Sequence, residues 1–198
     1  MYADAGEAWI DETGPIRPAC YNRSTVYAEA SAERFTRSGG TGVVLRFAGL
    51  YGPDSPLALE LIGHVRKGRA PIPGSPDAFF SSVTNDDAAT AVVTALRVPA
   101  GIYNVSDDEP LRRREYVDAL AQALDVAPPK LPPAWMMALG GSLARLMARS
   151  VRISNRKLRA TGGWAPRYPS AREGWKATVE AIHDATIAER PPRAQVAR

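Results

Sequence analysis

A guanidinium inside an apolar run is the first group to weigh. Arg46 interrupts Gly42-Val-Val-Leu-Arg-Phe-Ala-Gly-Leu-Tyr-Gly-Pro-Asp54. There it can meet a ligand phosphate or carboxylate, or close an ion pair at a strand end. Asp86 and Asp87 form a carboxylate pair. Because an apolar helical run follows them, helix capping accounts for them better than acid–base chemistry. His64 and His183 fall inside helical patterns, far apart in sequence. They read as having no cysteine or glutamate beside them, so no metal site is expected. Cys20 is the single cysteine, which excludes an internal disulfide and a cysteine cluster. From Arg145 to Lys176 nine Lys or Arg stand against Glu173 alone. Such a stripe can face nucleotide phosphates, although a solvated helix face explains it more simply than nucleic acid does.

The elements that would position these groups follow from spacing. Apolar residues at helical intervals predict a helix over Ser24–Arg37, stopped by Ser38-Gly-Gly-Thr-Gly42. The β-branched run that follows predicts a strand over 43–48, buried on both faces and broken at Tyr51-Gly52-Pro53. In an α/β sheet ligands gather outside the carboxyl ends of the strands, so the loop from Phe47 to Ser55 is the first place to look for a site. Further helices are expected at Leu57–Lys67, Ala88–Leu96, Arg113–Leu124, Trp135–Arg149 and Ala171–Glu189. Short strands are expected at Phe79–Val83 and Gly101–Ser106, which makes about three strands in all. Residues 1–20 read as irregular, and Asn85-Asp86-Asp87 as the cap of the helix after it. The fold class is α/β: the C-terminal part of a Rossmann-like doubly wound sheet with a small, mostly helical substrate-binding subdomain. Residues 1–110 would form the sheet portion, with substrate-loop segments interleaved at 54–82. Residues 111–189 would form the helical portion, and 190–198 a disordered tail.

The 198 residues suffice for one cored domain, and 45% apolar with 23% charged residues is ordinary for a soluble globular chain. No apolar run reaches the roughly 18 residues of a membrane span, and the first residues lack a basic start and an apolar core. Cytoplasm is therefore the default location, with no membrane or nucleic acid as partner and a homodimer left open. No Gly-x-Gly-x-x-Gly follows a strand. Gly39-Gly40-Thr41-Gly42 precedes its strand and is a helix stop.

Segments in a fixed order carry a resemblance. Val44-Leu45-Arg46 with Leu50-Tyr51-Gly52-Pro53 resembles the strand and loop of extended short-chain dehydrogenases/reductases, in the NAD-dependent epimerase/dehydratase family. Tyr2-Ala3-Asp4 with Asp11-Glu12 and Pro15 is similar to another of that family's segments. So are Ser82-Val83 with Asp86-Asp87-Ala88-Ala89, Tyr103-Asn104-Val105, and Gly163-Trp164 with Pro166. The resemblance covers about residues 1–180 and implies NAD(P)-linked oxidoreduction, epimerisation or dehydration of a small or nucleotide-linked substrate. It places the Gly-rich cofactor half and the catalytic Ser/Thr ahead of Met1, so NAD or NADP is the implied cofactor but is expected to bind this chain weakly. The family's Tyr-x-x-x-Lys pair falls on Tyr21 and Thr25. Tyr21 would be the acid/base, and Thr25 stands where the lysine would lower its pKa. The register Tyr27-x-x-x-Ser31 lacks the lysine as well. Arg46, Phe47, Ala48, Gly49 and Tyr51 would lie against the nicotinamide end of the cofactor. Ser81, Arg152, Asn155 and Arg156 would face the substrate. A weakened or truncated enzyme and a non-catalytic binding relative both fit this pattern.

Overall fold

The computed structural model describes residues 1–19, 22–132 and 141–188. Eight short strands and seven helices are defined among them: β1 (Trp9–Ile10), α1 (Ser24–Arg37), β2 (Val43–Phe47), β3 (Gly49–Tyr51), α2 (Pro56–Val65), β4 (Phe79–Phe80), β5 (Ser82–Thr84), α3 (Asn85–Ala95), β6 (Gly101–Val105), β7 (Leu111–Arg112), α4 (Arg113–Ala123), α5 (Gly141–Met147), β8 (Arg152–Ile153), α6 (Arg156–Gly162) and α7 (Ala171–Ala188). The expectations for Cys20, Tyr21, the start of the Trp135–Arg149 helix and the 190–198 tail lie outside the described residues.

Parallel pairing dominates, as a helix-alternating chain requires. β2 pairs with β6 from Val43↔Gly101 to Phe47↔Val105, and β3 pairs with β5 from Gly49↔Ser82 to Tyr51↔Thr84. The partner changes at Ala48. Its amide donates to the Val105 carbonyl, whereas the next amide, Gly49, donates to Ser81. One continuous stretch thus leaves one neighbour and joins another, which splays the sheet beneath the loop that follows.

Two apolar clusters form on either side of this point. One gathers Val83, Ala91, Tyr103, Val105, Leu158 and Trp164 under α3. The other joins α2, α4 and α7 through Ile62, Val65, Val117, Leu120 and Trp175, with Tyr51 and Tyr116. α7 crosses close to β3: a Cβ on Gly174 would stand 1.9 Å from the Tyr51 hydroxyl, so only glycine fits there.

Several expectations need correction. β2 is half-buried rather than covered on both faces, and Phe47 is exposed, because the crevice between α1 and β2 stays open. Residues 1–19 hold more regular structure than their composition suggests. β1 pairs in parallel with β8, and Tyr2 bridges Ile16. The partners lie so far along the chain that local pattern gives no sign of the pairing. The cap of α3 is Thr84, whose hydroxyl accepts from the Asp87 amide. Asp87 is buried, and its carboxylate receives the Thr84 hydroxyl and the Arg167 and Tyr168 amides, so it fastens a distant turn.

Candidate functional site

The splay at Ala48 opens two cavities, one on each side of the Phe47–Tyr51 segment. The first, of about 530 Å³, lies between the start of α1 and the β2 edge. Tyr2, Asn22, Thr25, Ala28, Glu29, Val44, Arg46 and Phe47 are among the residues that line it. Its one arginine is fully engaged. Arg46 grips Glu29 through Nε and Nη2, at 2.8 Å each, and also donates to the Tyr2 hydroxyl and the Glu12 carbonyl. The Tyr2 hydroxyl in turn donates to Asn104 Oδ1 at 2.6 Å. Hydrogen bonding to Glu29 holds the Arg46 pKa above its ordinary value despite burial. Of the two readings of Arg46, the ion pair is the one made: a desolvated cation must be paired, and it is paired with Glu29 of α1.

Thr25 occupies the first turn of α1, is exposed, and donates its hydroxyl to the Asn22 carbonyl at 2.7 Å. It carries no charge that would lower the pKa of a nearby phenol. In the other register Tyr27 is 73% exposed, and Ser31 bonds back to the Tyr27 carbonyl while accepting from Arg34.

The second cavity, of about 320 Å³, lies between β3, α2 and the Pro71–Pro73 loop. Leu57, Leu61, Ile72, Phe80, Met147 and the rings of Tyr51, Tyr116 and Trp175 form most of its wall. Gly49 admits the Phe80 ring, whose Cζ would stand 2.7 Å from a Cβ at that position. The rings form a cluster, with the Tyr51 and Trp175 centroids 4.6 Å apart and Phe80 edge-on to Tyr116 at 4.8 Å. Of the lining residues only Glu60 and His64 are ionisable groups other than phenols, and none is Lys or Arg. They stand 3.7 Å apart on one face of α2, so His64 does have a glutamate beside it. The helical interval of four residues was the signal that the sequence reading missed. Arg113, itself buried with its pKa pushed down to about 10 by desolvation, donates to the Met147 and Arg149 carbonyls and so holds this end of α5 in place.

The remaining candidates disperse. Tyr51 is 3% exposed, and burial raises its pKa, so its ring packs with Tyr116 and Trp175 in the core at the edge of the second cavity. Ala48 and Gly49 mark the partner switch, and Phe47 turns toward the first cavity. Ser81 is buried between two segments. Its hydroxyl donates to the Val151 carbonyl and accepts from the Ile153 amide, which makes it a clamp on β8 rather than a substrate contact. Asn155 is also buried and donates to the Ser106 and Asp107 carbonyls and to Asp108. Arg152 lies over the rings of Trp9 and Phe79, at 4.2 and 4.6 Å. Arg156 is exposed and borders a separate polar niche with Trp9, Asp11, Glu12, Ser154 and Lys157. Ser81 thus lies against the segment that carries Arg152, Asn155 and Arg156, but the niche that Arg156 borders is lined by none of the other three. The basic stripe is likewise parcelled out: Arg149 to the Tyr2 and Arg17 carbonyls, Lys157 to Ile102, Arg159 to Asp108, and Arg172 to Glu115. No helix among the described residues is long and apolar enough to cross a membrane.

Comparison with known proteins gives this geometry a setting. No family model matches the chain. A 3-diazoavenalumate denitrifying reductase from Streptomyces sp is 32% identical over 181 residues, covering 87% of this chain and 60% of that one. A UDP-glucose 4-epimerase of Thermus thermophilus, solved with NAD, superposes with a TM-score of 0.72 at 28% identity, over 93% of this chain and 61% of that one. The human epimerase family protein SDR39U1, solved with NADPH, superposes with a TM-score of 0.78 at 21% identity, over 90% and 62%. The chain thus spans about three-fifths of the length of these relatives. In fold and in the order of its segments, this chain is similar to NAD-dependent epimerases and dehydratases, which it matches over about three-fifths of their length.

Proposed function

We propose that this chain supplies the substrate-binding part of an NAD(P)-dependent reductase of the epimerase/dehydratase type, acting on a small and largely apolar substrate. The observation that carries this reading is the 320 Å³ cavity beside β3, walled by aliphatic and aromatic side chains without a Lys or Arg. A nucleotide-linked substrate carries a diphosphate, which calls for cationic or backbone donors. A small ring compound needs burial against apolar walls and a few polar contacts. The 32% identical relative is named a reductase of a diazo compound, in keeping with the smaller substrate.

The cofactor comes to this chain by likeness to neighbours solved with NAD or NADPH. When bound it would supply the hydride. The described residues do not fit its pyrophosphate: the arginine of the α1–β2 crevice is committed to Glu29, and no Gly-rich turn opens a helix there. What these residues do themselves is enclose the substrate and orient it at the strand switch. Thr25 favours a second reading, a binding relative without turnover, because an uncharged hydroxyl bonded to Asn22 stands in the lysine's place.

Ligand-observed NMR titration separates the substrate classes. Acetophenone and UDP-glucose are titrated into the protein and into its Ile72→Arg variant, which places a cation in the cavity wall. The expected result is binding of acetophenone that the variant abolishes, with no binding of UDP-glucose. Tighter binding of UDP-glucose than of any aryl compound would overturn the small-substrate reading. For the second reading, NADPH-dependent turnover is compared with and without Thr25→Lys in the chain joined to a Gly-rich cofactor-binding half. A rate that rises with the lysine favours an enzyme weakened at that position.

A further inference from the structure

The outer edge of β6 is occupied by side chains from two distant segments. The Gly101 amide donates to the Gly42 carbonyl, and the Val105 carbonyl accepts from the Ala48 amide, so alternate residues from Gly101 to Val105 face β2. Backbone groups of successive residues point to opposite sides of a strand, which turns Ile102 and Asn104 outward. Each of these two has a backbone group capped by a charged side chain. The Asn104 amide donates to Glu12 Oε1 at 2.8 Å, and the Ile102 carbonyl accepts from Lys157 Nζ at 2.8 Å. Lys157 also lies over the Tyr103 ring at 4.8 Å. One step further along, Asn155 Nδ2 donates to the Ser106 carbonyl at 2.9 Å. Among the described residues no strand other than β2 pairs with β6.

We infer that this edge is a latent pairing surface for a second copy of this chain, and that Glu12 and Lys157 keep it closed. An open strand edge is a template for another strand, and charged side chains placed on it blunt that tendency. The β6 edge is self-complementary. Two copies related by a two-fold axis beside Tyr103 would run antiparallel there, with Ile102 of each opposite Asn104 of the other. Residues so opposed exchange both of their backbone bonds, and one of these joins the Asn104 amide to the Ile102 carbonyl of the second copy. That donor is the one Glu12 occupies, and that acceptor is the one Lys157 occupies. The two guards therefore block opposite ends of the same intermolecular bond, and removing one leaves the other in place. Both line the polar niche of about 320 Å³ with Trp9, Asp11, Ser154 and Arg156, which is the space an added strand would enter. Ile102, Tyr103 and Val105 are strand formers, so the backbone of β6 is ready to pair once uncovered.

Substitutions in the full chain test the guards. Sedimentation velocity over a concentration series follows self-association of the natural protein, Glu12→Ala, Lys157→Ala and the double variant, and amide hydrogen exchange reads Ile102 and Asn104 in the same samples. The double variant is expected to associate about tenfold or more tightly than the natural protein, the gain from the two symmetry-related bonds set free. Its Ile102 and Asn104 amides should exchange more slowly as concentration rises. Either single variant should stay close to the natural protein, because each bond still has one end occupied. Asp11→Ala with Arg156→Ala removes the same charges from the same niche but leaves the guards, so it should also match the natural protein. If the alanine pair does not fold, Glu12→Gln with Lys157→Met keeps the side-chain lengths while weakening both caps, and tighter association is expected there as well. A double variant that associates no more tightly than the Asp11/Arg156 control overturns the inference. So does association that leaves exchange at the two amides unchanged, or a single variant that associates as tightly as the double.

Discussion

Asp107 is expected to make this protein lose stability as pH rises through neutrality, the reverse of what a paired carboxylate does. It follows β6 and is 3% exposed. Its Oδ2 accepts the Ser82 hydroxyl at 3.0 Å, and its Oδ1 has no partner. Its backbone is pinned as well, with its amide donating to the Ser82 carbonyl at 2.8 Å. Desolvation, helped by Asp108, Glu109 and Glu173, pushes its pKa up to about 8 from an ordinary 3.8. The folded state therefore holds a proton that the unfolded chain has released, from about pH 4 to about pH 8. The stability tied to that proton is fully present below the unfolded value and is lost as pH rises through the folded one. At about 1.4 kcal/mol per pH unit, raising the pH from 5 to 8 costs about 4 kcal/mol, a large share of a typical domain's stability. Asp107→Asn keeps the shape and does not titrate, so it isolates this group from every other. Urea unfolding of both proteins at pH 5, 6.5 and 8 should show a gap that widens in favour of Asp107→Asn as pH rises. Parallel pH profiles, or a gap that narrows, would refute the reasoning.

Other outcomes follow from single contacts. Glu29→Ala strands the Arg46 guanidinium, whose side chain is 10% exposed beside a glutamate that is 15% exposed. A loss of about 3 kcal/mol in urea unfolding is expected, and a loss below about 1 kcal/mol would show that Tyr2 and Glu12 suffice for it. Gly174→Ala drives a methyl group into the Tyr51 hydroxyl and should cost about 1–3 kcal/mol in thermal unfolding, despite alanine's better helix propensity. Thr25→Lys changes an exposed residue on the first turn of α1, so its unfolding midpoint should match the natural protein's within about 0.5 kcal/mol, which makes it a clean probe of turnover. Ser81→Ala unfastens β8 from two buried bonds, and about 1–3 kcal/mol of destabilisation is expected by the same urea assay.

Much of the architecture was legible along the chain, because helix periodicity and glycine stops are local. α1 runs over the Ser24–Arg37 span that its spacing predicts, and β6 lies within Gly101–Ser106. The motif order was enough to point to the epimerase/dehydratase family, and the likeness to solved relatives agrees with it. Its functional residues were another matter. Whether a polar side chain faces a ligand or another part of the protein depends on which distant segment lies beside it. Arg46 is occupied by Glu29, 17 residues away, Ser81 by Val151, 70 residues away, and Asn155 by Asp108, 47 residues away. None of these pairings leaves a mark in local pattern.

The same limit explains what went unseen. The cavity walls come from α2, β3, β4, α4, α5 and α7, segments scattered from Gly49 to Trp175, and no periodicity announces that they meet. The sequence by itself determined most of the helices, the segments that hold β2, β4, β5 and β6, and the α/β class, since backbone propensity and apolar spacing act over a few residues, whereas about three strands were expected and β1, β3, β7, β8 and α6 escaped it. Tertiary structure alone decided that the chain changes partners at Ala48, that the Arg46 charge is spent internally, and that Asp107 is buried with one carboxylate oxygen unpartnered. Each of these is a competition for hydrogen bonds and for burial between groups far apart in the chain, and only packing settles it.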